Sequence, residues 1–434
     1  MPLLKTYQGT IDYLYRQLPM FSHQGSIAFK SDLTNIRALC ASLGNPHEKI
    51  KTIHIGGTNG KGSVSHMLAA VFQQAGYKTG LYTSPHLKDF RERIRIDGTM
   101  IPEGNVVQFV NDNRAIIDQV KPSFFEITVA MAFDHFARER TDIAVIEVGL
   151  GGRLDSTNII TPGLSIITNI SYDHQAMLGD TLEKIACEKA GIIKEKIPVV
   201  IGESHPETAS VFEAAAQRMN APIVFADLEW KMDDTSMQEE IQTITVSSAT
   251  GQPFQTHTFA LDLTGSYQAA NLCTLLSAWK ILCEQGWQLS LTGLEKALKQ
   301  VRYLTGLRGR WEIIGHQPLT VIDVGHNEAG IRAIMQQAAR HSFRQLHIVT
   351  GFVKDKEVEK VLSFFPASAH YYFCQAPLPR ALDAADLRQA AARHHLLGDD
   401  YPSVKAAYAA AREAAGPDDM ILICGSFFVV AEVI

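Results

Sequence analysis

The stretch KTIHIGGTNGKGS, Lys51–Ser63, decides the fold. Lys51–Ile55 reads as a short apolar strand and Gly56–Ser63 as a glycine-rich turn. A helical stretch follows to Ala75, with Gly76 placed to end it. The next strand is Lys78–Tyr82, so the order is strand, helix, strand, which predicts a parallel sheet. In that setting the turn is a phosphate cradle. Glycines let backbone N–H groups turn toward anionic oxygens, and the helix N-terminus adds positive potential. Lys61 supplies a point charge, and the Ser63 hydroxyl stands where a metal–phosphate contact would be. A plain turn has no use for a lysine between two glycines. The loop departs from the common GxxxxGK[ST] form: Gly56 stands one place too near Gly60, and Gly62 separates Lys61 from Ser63.

Working outward, 434 residues exceed the ~250–300 that one core usually serves, so two or three domains are expected. Hydrophobic residues at 46% exclude wholesale disorder. Lys and Arg total 40 against 46 Asp and Glu, a net charge of −6, which excludes the basic footprint of a nucleic-acid binder. Any anionic ligand must therefore be held by local cations, backbone N–H groups or metal ions. The cysteines (Cys40, Cys187, Cys273, Cys283, Cys374, Cys424) form no CxxC pair and read as free thiols of a reducing compartment. No run reaches the ~18–20 apolar residues of a membrane span, and no signal peptide is evident, so a cytoplasmic protein is expected.

The strand signal recurs at Asp142–Val148, Leu164–Asn169 and Ile197–Ile201, with a helix around Leu182–Ile193. A helix with a Ser/Asp cap is expected at residues 31–43. Residues 227–260 are polar and weakly alternating, which suits small antiparallel strands at an edge, and a helix follows at Tyr267–Gln285. A second α/β set begins near Trp311, with strands at Thr320–Asp323, Leu346–Thr350, His370–Phe373 and Met420–Cys424 and an Ala-rich helix at Val404–Ala415. Arg91, Arg93 and Arg95 alternate as one face of an extended strand would. Glu147 ends an apolar run, at the strand end where open α/β sheets bind ligands, and suits Mg²⁺.

Several further motifs stand in order along the chain: YTSPHL (Tyr82–Leu87), RERIRIDG (Arg91–Gly98), FFEITVAMAF (Phe124–Phe133), VIEVGLGGRLDSTN (Val145–Asn158), ISYDHQAMLG (Ile170–Gly179), EKAGIIK (Glu188–Lys194), GSYQAAN (Gly265–Asn271), LRGRWE (Leu307–Glu312), VIDVGHN (Val321–Asn327) and CGSFF (Cys424–Phe428). With GGTNGKGS, they resemble the folylpolyglutamate synthase/dihydrofolate synthase family of the Mur ligase superfamily over nearly the whole chain. The resemblance implies an N-terminal P-loop-type ATP-binding domain (1–303) with a mainly parallel sheet. A linker (304–310) and a smaller Rossmann-like, glutamate-binding α/β domain (311–434) follow.

The resemblance also assigns residues. ATP is held by Gly57, Thr58, Asn59, Gly60, Lys61, Gly62 and Ser63, with Asn271, Arg310 and Asp323 reaching the nucleotide. Ser84, Glu147 and His174 are magnesium ligands, and Lys189 is a carbamylated lysine serving a second Mg²⁺. His326 and Ser426 hold the incoming glutamate. The loop Ser84–Asp89, with His86, lies against the pterin, and Phe124, Phe125 and Glu126 line its pocket. Lys61, Lys189 and His326 carry the catalytic roles. The implied activity is an ATP-dependent ligase that activates the γ-carboxylate of a folate as an acyl phosphate and joins L-glutamate to it. The same chemistry on dihydropteroate would make dihydrofolate. The partners are tetrahydrofolate or dihydropteroate and L-glutamate, with no nucleic acid and no membrane, acting on a monomer.

Two other readings share parts of this pattern. A cell-wall Mur ligase uses the same loop but usually carries an extra N-terminal domain, and only 56 residues precede Gly57. A non-catalytic nucleotide-binding protein would have a degenerate loop or lack metal ligands, whereas Lys61, Glu147, His174 and Lys189 are all present.

Overall fold

The computed structural model describes residues 3–17, 32–238, 240–354 and 358–434. They fall into two compact units. The first comprises residues up to Ile170, Gln175–Asp262 and Ala269–Leu307; the second comprises Ser171–His174, Leu263–Gln268 and Arg308–Ile434.

The first unit is built on an eight-stranded sheet in the order β4-β3-β2-β5-β1-β6-β7-β8. Its strands are β1 Thr52–Gly56, β2 Thr79–Tyr82, β3 Ile94–Ile96, β4 Thr99–Met100, β5 Ile143–Glu147, β6 Leu164–Ile167, β7 Val199–Ile201 and β8 Ile223–Phe225. The six strands from β2 to β8 in this order are parallel, and β3 and β4 add an antiparallel margin. Strands β1 and β5 are buried along their whole length, as apolar runs covered on both faces must be. A large apolar cluster includes Leu39, Ile127, Phe133, Phe136 and Ile146; a second includes Val148, Ile167, Ile192 and Phe212.

Local chemistry sets the element ends. The helix Lys61–Gln74 starts after Gly60, whose φ of 83° is left-handed, and Gly76 follows it at φ 87°. The helix Thr34–Ser42 is shorter than expected: the Thr34 N–H donates to Asp32 Oδ1 at 2.8 Å, and Ser31, expected at the cap, lies outside the described residues. The helix bearing Lys189 is Leu182–Ala190, capped by Thr181.

The small antiparallel strands expected over 227–260 are present: β9 Trp230–Gln238, β10 Ile241–Ser248 and β11 Thr256–Leu261 form a three-stranded antiparallel sheet of their own. One expectation is corrected. Arg91, Arg93 and Arg95 do not share a strand face. Phe90–Arg93 is a 3₁₀ turn closed by a capping box between Asp89 and Glu92, and only Arg95 lies within β3. The box satisfies several backbone N–H groups at once, which outweighs the strand-like alternation.

The second unit carries a six-stranded sheet, β12-β13-β17-β14-β15-β16. Its strands are β12 Glu312–His316, β13 Leu319–Ile322, β14 Leu346–Thr350, β15 His370–Cys374, β16 Gly398–Tyr401 and β17 Met420–Cys424. All neighbours pair in parallel except β12 with β13. The two margins, β12 and β16, were not anticipated from sequence. All six cysteines are free thiols. No helix among the described residues is long and apolar enough to cross a membrane.

Phe136 is fully buried, and a Cβ on Gly80 would lie only 3.0 Å from its ring. Phe136→Ala leaves a cavity against β2 and should cost about 3–5 kcal/mol. The check is urea unfolding of the first unit, read as a fall in midpoint.

Candidate active site

In the first unit the phosphate loop leaves the C-terminal end of β1. Strand β5 lies beside β1 with Ile55 opposite Glu147, so the Glu147 carboxylate stands at the loop's side. Glu147 is buried and accepts from the Ser84 backbone N–H at 3.1 Å. Two of the candidate magnesium ligands are thus neighbours.

The loop's shape depends on glycine at two points. Gly57 has φ 135°, and a Cβ there would lie 1.9 Å from Thr168 Oγ1. A Cβ on Gly60 would lie 2.3 Å from Asn271 Oδ1, which sets the Asn271 amide against the loop. Lys61 Nζ donates to the carbonyls of Gly57 and Thr58, both at 3.0 Å. Lys189, 4% exposed, donates to the same Gly57 carbonyl at 2.9 Å. Two ammonium groups therefore converge on one oxygen, which gives this edge of an acidic protein a local positive field. Ser63 is buried in the first turn of the helix.

A second turn fastens Lys189. Buried Asp155 accepts from the N–H groups of Leu150 and Thr157 at 2.8 and 2.9 Å and from the Thr157 hydroxyl at 2.5 Å. Burial pushes its carboxyl up, and those donors oppose the shift. The Arg153 N–H donates to the Glu188 carbonyl at 2.8 Å, and a Cβ on Gly152 would lie 3.0 Å from Lys189 Cα. The turn Gly149–Asn158 so clasps the helix that carries Lys189.

The candidate pterin residues also meet. Phe124 packs against Tyr15 and Phe90, with ring centroids 5.4 and 5.7 Å apart, and Arg93 lies over its ring. Arg93 Nε donates to His86 Nδ1 at 2.8 Å. A guanidinium only donates, so Nδ1 must accept and the proton sits on Nε2, 3.3 Å from the Tyr15 hydroxyl. Burial, followed by the Arg93 charge, holds His86 down to about 3, so the ring is neutral. Arg91 pairs with Asp89, and Arg95 donates to the Gly98 carbonyl. Glu126 has a structural duty not expected of it: its carboxylate accepts from the Ser123 N–H at 2.6 Å and caps the helix Phe124–Arg138. Phe125 packs where a Cβ on Gly149 would fall.

In the second unit, Asp323 is buried and accepts from the Tyr267 hydroxyl (2.5 Å) and the N–H groups of Trp311 and Gly325 (both 2.8 Å). Burial pushes its carboxyl up. The Arg310 guanidinium lies 5.3 Å from the Phe427 ring centroid, and the His326 ring is 6.0 Å from the same centroid. His326 Nδ1 donates to the Val324 carbonyl at 3.0 Å, and Nε2 lies 3.3 Å from Asp173 Oδ2. Asn327 caps the helix Glu328–Ala338 and donates to Asp173 at 3.1 Å. Ser426 caps the helix Phe427–Ala431. His174 has φ 52°, and its N–H donates to the Asp173 carboxylate.

Sequence reasoning missed Asp155, Asp173, Thr168 and Asn169. Asp155 and Asp173 stand within motifs and Thr168 and Asn169 just before one, but Asp, Thr and Asn beyond a strand look like ordinary turn chemistry. Among the described residues no group of three or more His, Cys, Asp and Glu could hold a metal ion. The residues nonetheless suit a nucleotide with a divalent cation: the Glu147 carboxylate and Ser84 hydroxyl are hard oxygen donors beside a phosphate loop. Lys189 joins such a set only with its amine converted to a carbamate.

A strand-to-helix phosphate loop, a parallel sheet and a second α/β unit define a nucleotide-binding α/β architecture. The Mur ligase middle domain family matches residues 55–278, and the Mur ligase glutamate ligase domain family matches residues 309–427. A folylpolyglutamate synthase of Lacticaseibacillus casei is 32% identical, with 98% of this chain and 97% of that protein covered. A probable bifunctional folylpolyglutamate synthase/dihydropteroate synthase of Haloferax volcanii is 31% identical over 93% of this chain, which spans 48% of that longer protein. A solved bifunctional folylpolyglutamate synthase/dihydrofolate synthase of Yersinia pestis, complexed with AMPPNP and Mn, superposes with a TM-score of 0.84 at 26% identity, covering 100% of this chain and 98% of that one. The chain belongs to the folylpolyglutamate synthase/dihydrofolate synthase family of the Mur ligase superfamily, a family of ATP-dependent ligases.

Gly57→Ala drives a methyl group into Thr168 and strains a backbone at φ 135°. It should weaken Mg-ADP binding at least ~10-fold, since such strain costs ~1–3 kcal/mol. Gly104→Ala, where a Cβ meets nothing within 4 Å, should leave binding unchanged in the same titration.

Proposed function

We propose that this chain joins L-glutamate to the γ-carboxylate of a folate, and to dihydropteroate by the same chemistry. The observation that carries the reading is the meeting of Lys61 and Lys189 on the Gly57 carbonyl, with Glu147 and Ser84 alongside. A carboxylate accepts an amine poorly because oxide is a hopeless leaving group. Attack of its oxygen on the γ-phosphorus of ATP forms an acyl phosphate and releases ADP. The glutamate amine then attacks the acyl carbon, and phosphate departs.

The chain's own groups have distinct tasks. The amides at the helix N-terminus and Lys61 hold the phosphates and balance charge on the transferring group. Asn271, Arg310 and Asp323 fix the nucleotide, and a guanidinium suits its phosphates. His86, Phe124 and Glu126 belong to the pterin pocket, with Glu126 acting through its helix cap. His326 and Ser426 hold glutamate. Bound Mg²⁺, in two positions, would neutralise phosphate charge; Ser84, Glu147 and His174 would hold one ion and Lys189 would serve the other. For that, CO₂ adds to the neutral Lys189 amine and one proton leaves. The carbamate nitrogen keeps one N–H, enough for its bond to Gly57.

Residues 1–303 form the ATP-binding domain, residues 304–310 the linker, and residues 311–434 the glutamate-binding domain. The protein works as a cytoplasmic monomer; free thiols on all six cysteines support a reducing compartment.

The decisive assay uses purified protein, Mg-ATP, L-glutamate and either tetrahydrofolate or dihydropteroate, scored for amide product. Product with at least one acceptor is expected, and product with neither overturns the reading. Chelation with EDTA should abolish turnover. Lys189→Ala should lower kcat at least ~100-fold, as loss of a charge-stabilising group does. Full turnover in that variant would remove the carbamate from the mechanism.

A further inference from the structure

From the Gly57 carbonyl to the Asn59 carbonyl, the phosphate loop is bonded inward. The Gly57 and Thr58 carbonyls accept from lysines. The Thr58 N–H donates to the Asn169 carbonyl at 2.9 Å, and the Asn59 N–H donates to Asn169 Oδ1 at 3.0 Å. The Asn59 carbonyl accepts from Thr168 Oγ1 at 2.5 Å. The amides of Thr58 and Asn59 are thus turned toward the end of β6. An incoming phosphate meets donors from Gly60 onward, at the helix N-terminus.

Asn169 makes two of these bonds, and its amide can face only one way. The Asn59 N–H only donates, so Oδ1 must face it. On the other side Nδ2 donates to Glu203 Oε1 at 3.3 Å, a bond that opposes the burial pushing that carboxyl up. A flipped amide would set donor against donor and acceptor against acceptor. Glu203 is brought there by the packing of strand ends. It follows β7, where the Gly202 N–H donates to the Ile167 carbonyl at 2.8 Å, and a Cβ on Gly202 would lie 2.2 Å from the Thr168 carbonyl. The next residue is tied down as well: Ser204 N–H and Oγ donate to Asp227 at 2.8 and 2.6 Å.

We propose that Asn169 is the positioning residue of the phosphate loop and that Glu203 sets its orientation. Nucleotide affinity then depends on a carboxylate bonded to Asn169 rather than to the loop itself. The inference rests on the reading that this loop holds the phosphates of ATP.

The test titrates Mg-ADP into the full chain by calorimetry. In Asn169→Asp the new carboxylate can still accept from Asn59 but faces Glu203, and binding should weaken about tenfold, as for the loss of a charge-assisted bond. Adding Glu203→Gln restores a donor, and the double variant should recover to within about threefold of wild type, near the uncertainty of one ordinary bond. The KM values for glutamate and for tetrahydrofolate should stay within about twofold, which a general structural defect would not allow. Wild-type affinity in Asn169→Asp, or a folded double variant as weak as the single one, overturns the proposal. If Asn169→Asp does not fold, Glu203→Ala decides: binding about threefold weaker supports the proposal and unchanged binding overturns it. ADP affinity is read without turnover, so absence of amide product defeats the folate reading alone. A wild-type chain that binds no Mg-ADP defeats both.

Discussion

The arrangement of the first unit depends on the close approach of Gly57 to Thr168. No side chain fits there: a Cβ would fall 1.9 Å from the threonine hydroxyl. Because the gap is closed, the loop leaving β1 lies flat against the end of β6, and its carbonyls face the sheet side, where Lys61 and Lys189 reach them. The same contact sets where the helix Lys61–Gln74 begins, and hence where its positive end lies. A net charge of −6 is no obstacle to binding ATP when the Lys61 ammonium and a helix terminus share one strand edge.

Rigidity around this point comes from hydrogen bonds made by buried polar groups rather than from apolar packing alone. Asp155 gathers the turn after β5, the turn holds the helix of Lys189, and Lys189 returns to the loop. Each link has a fully specified donor and acceptor, so the chain of contacts admits few alternative geometries. That suits phosphoryl transfer, in which the protein mostly positions groups and stabilises charge.

Much of this was legible in the sequence. The parallel strands announced themselves as apolar runs because they are buried on both faces, and GGTNGKGS placed the loop. Glu147 was legible as a carboxylate at a strand end. The roles proposed for Lys189, His174 and Ser426 were not; on spacing alone a lysine on a helix or a serine in a loop is unremarkable, and only the family resemblance singled them out. Where sequence reading failed, a local interaction competed with a periodic one. Arg91 and Arg93 alternate like a strand, but Asp89 and Glu92 bond nearby backbone N–H groups and fold the segment into a turn. Strand β16, Gly-Asp-Asp-Tyr at 398–401, is too polar to read as sheet and survives because it is an edge. Asn169 was invisible because its importance lies in which way its amide faces.

The bond from Arg93 to His86 carries an evolutionary consequence. An arginine that can only give and a histidine obliged to receive form a single unit of variation. Replacing either alone leaves the other's polar atom without that partner in a partly buried place. Among descendants of a common ancestor, the two positions should drift as a pair, recorded as covariation rather than as independent change.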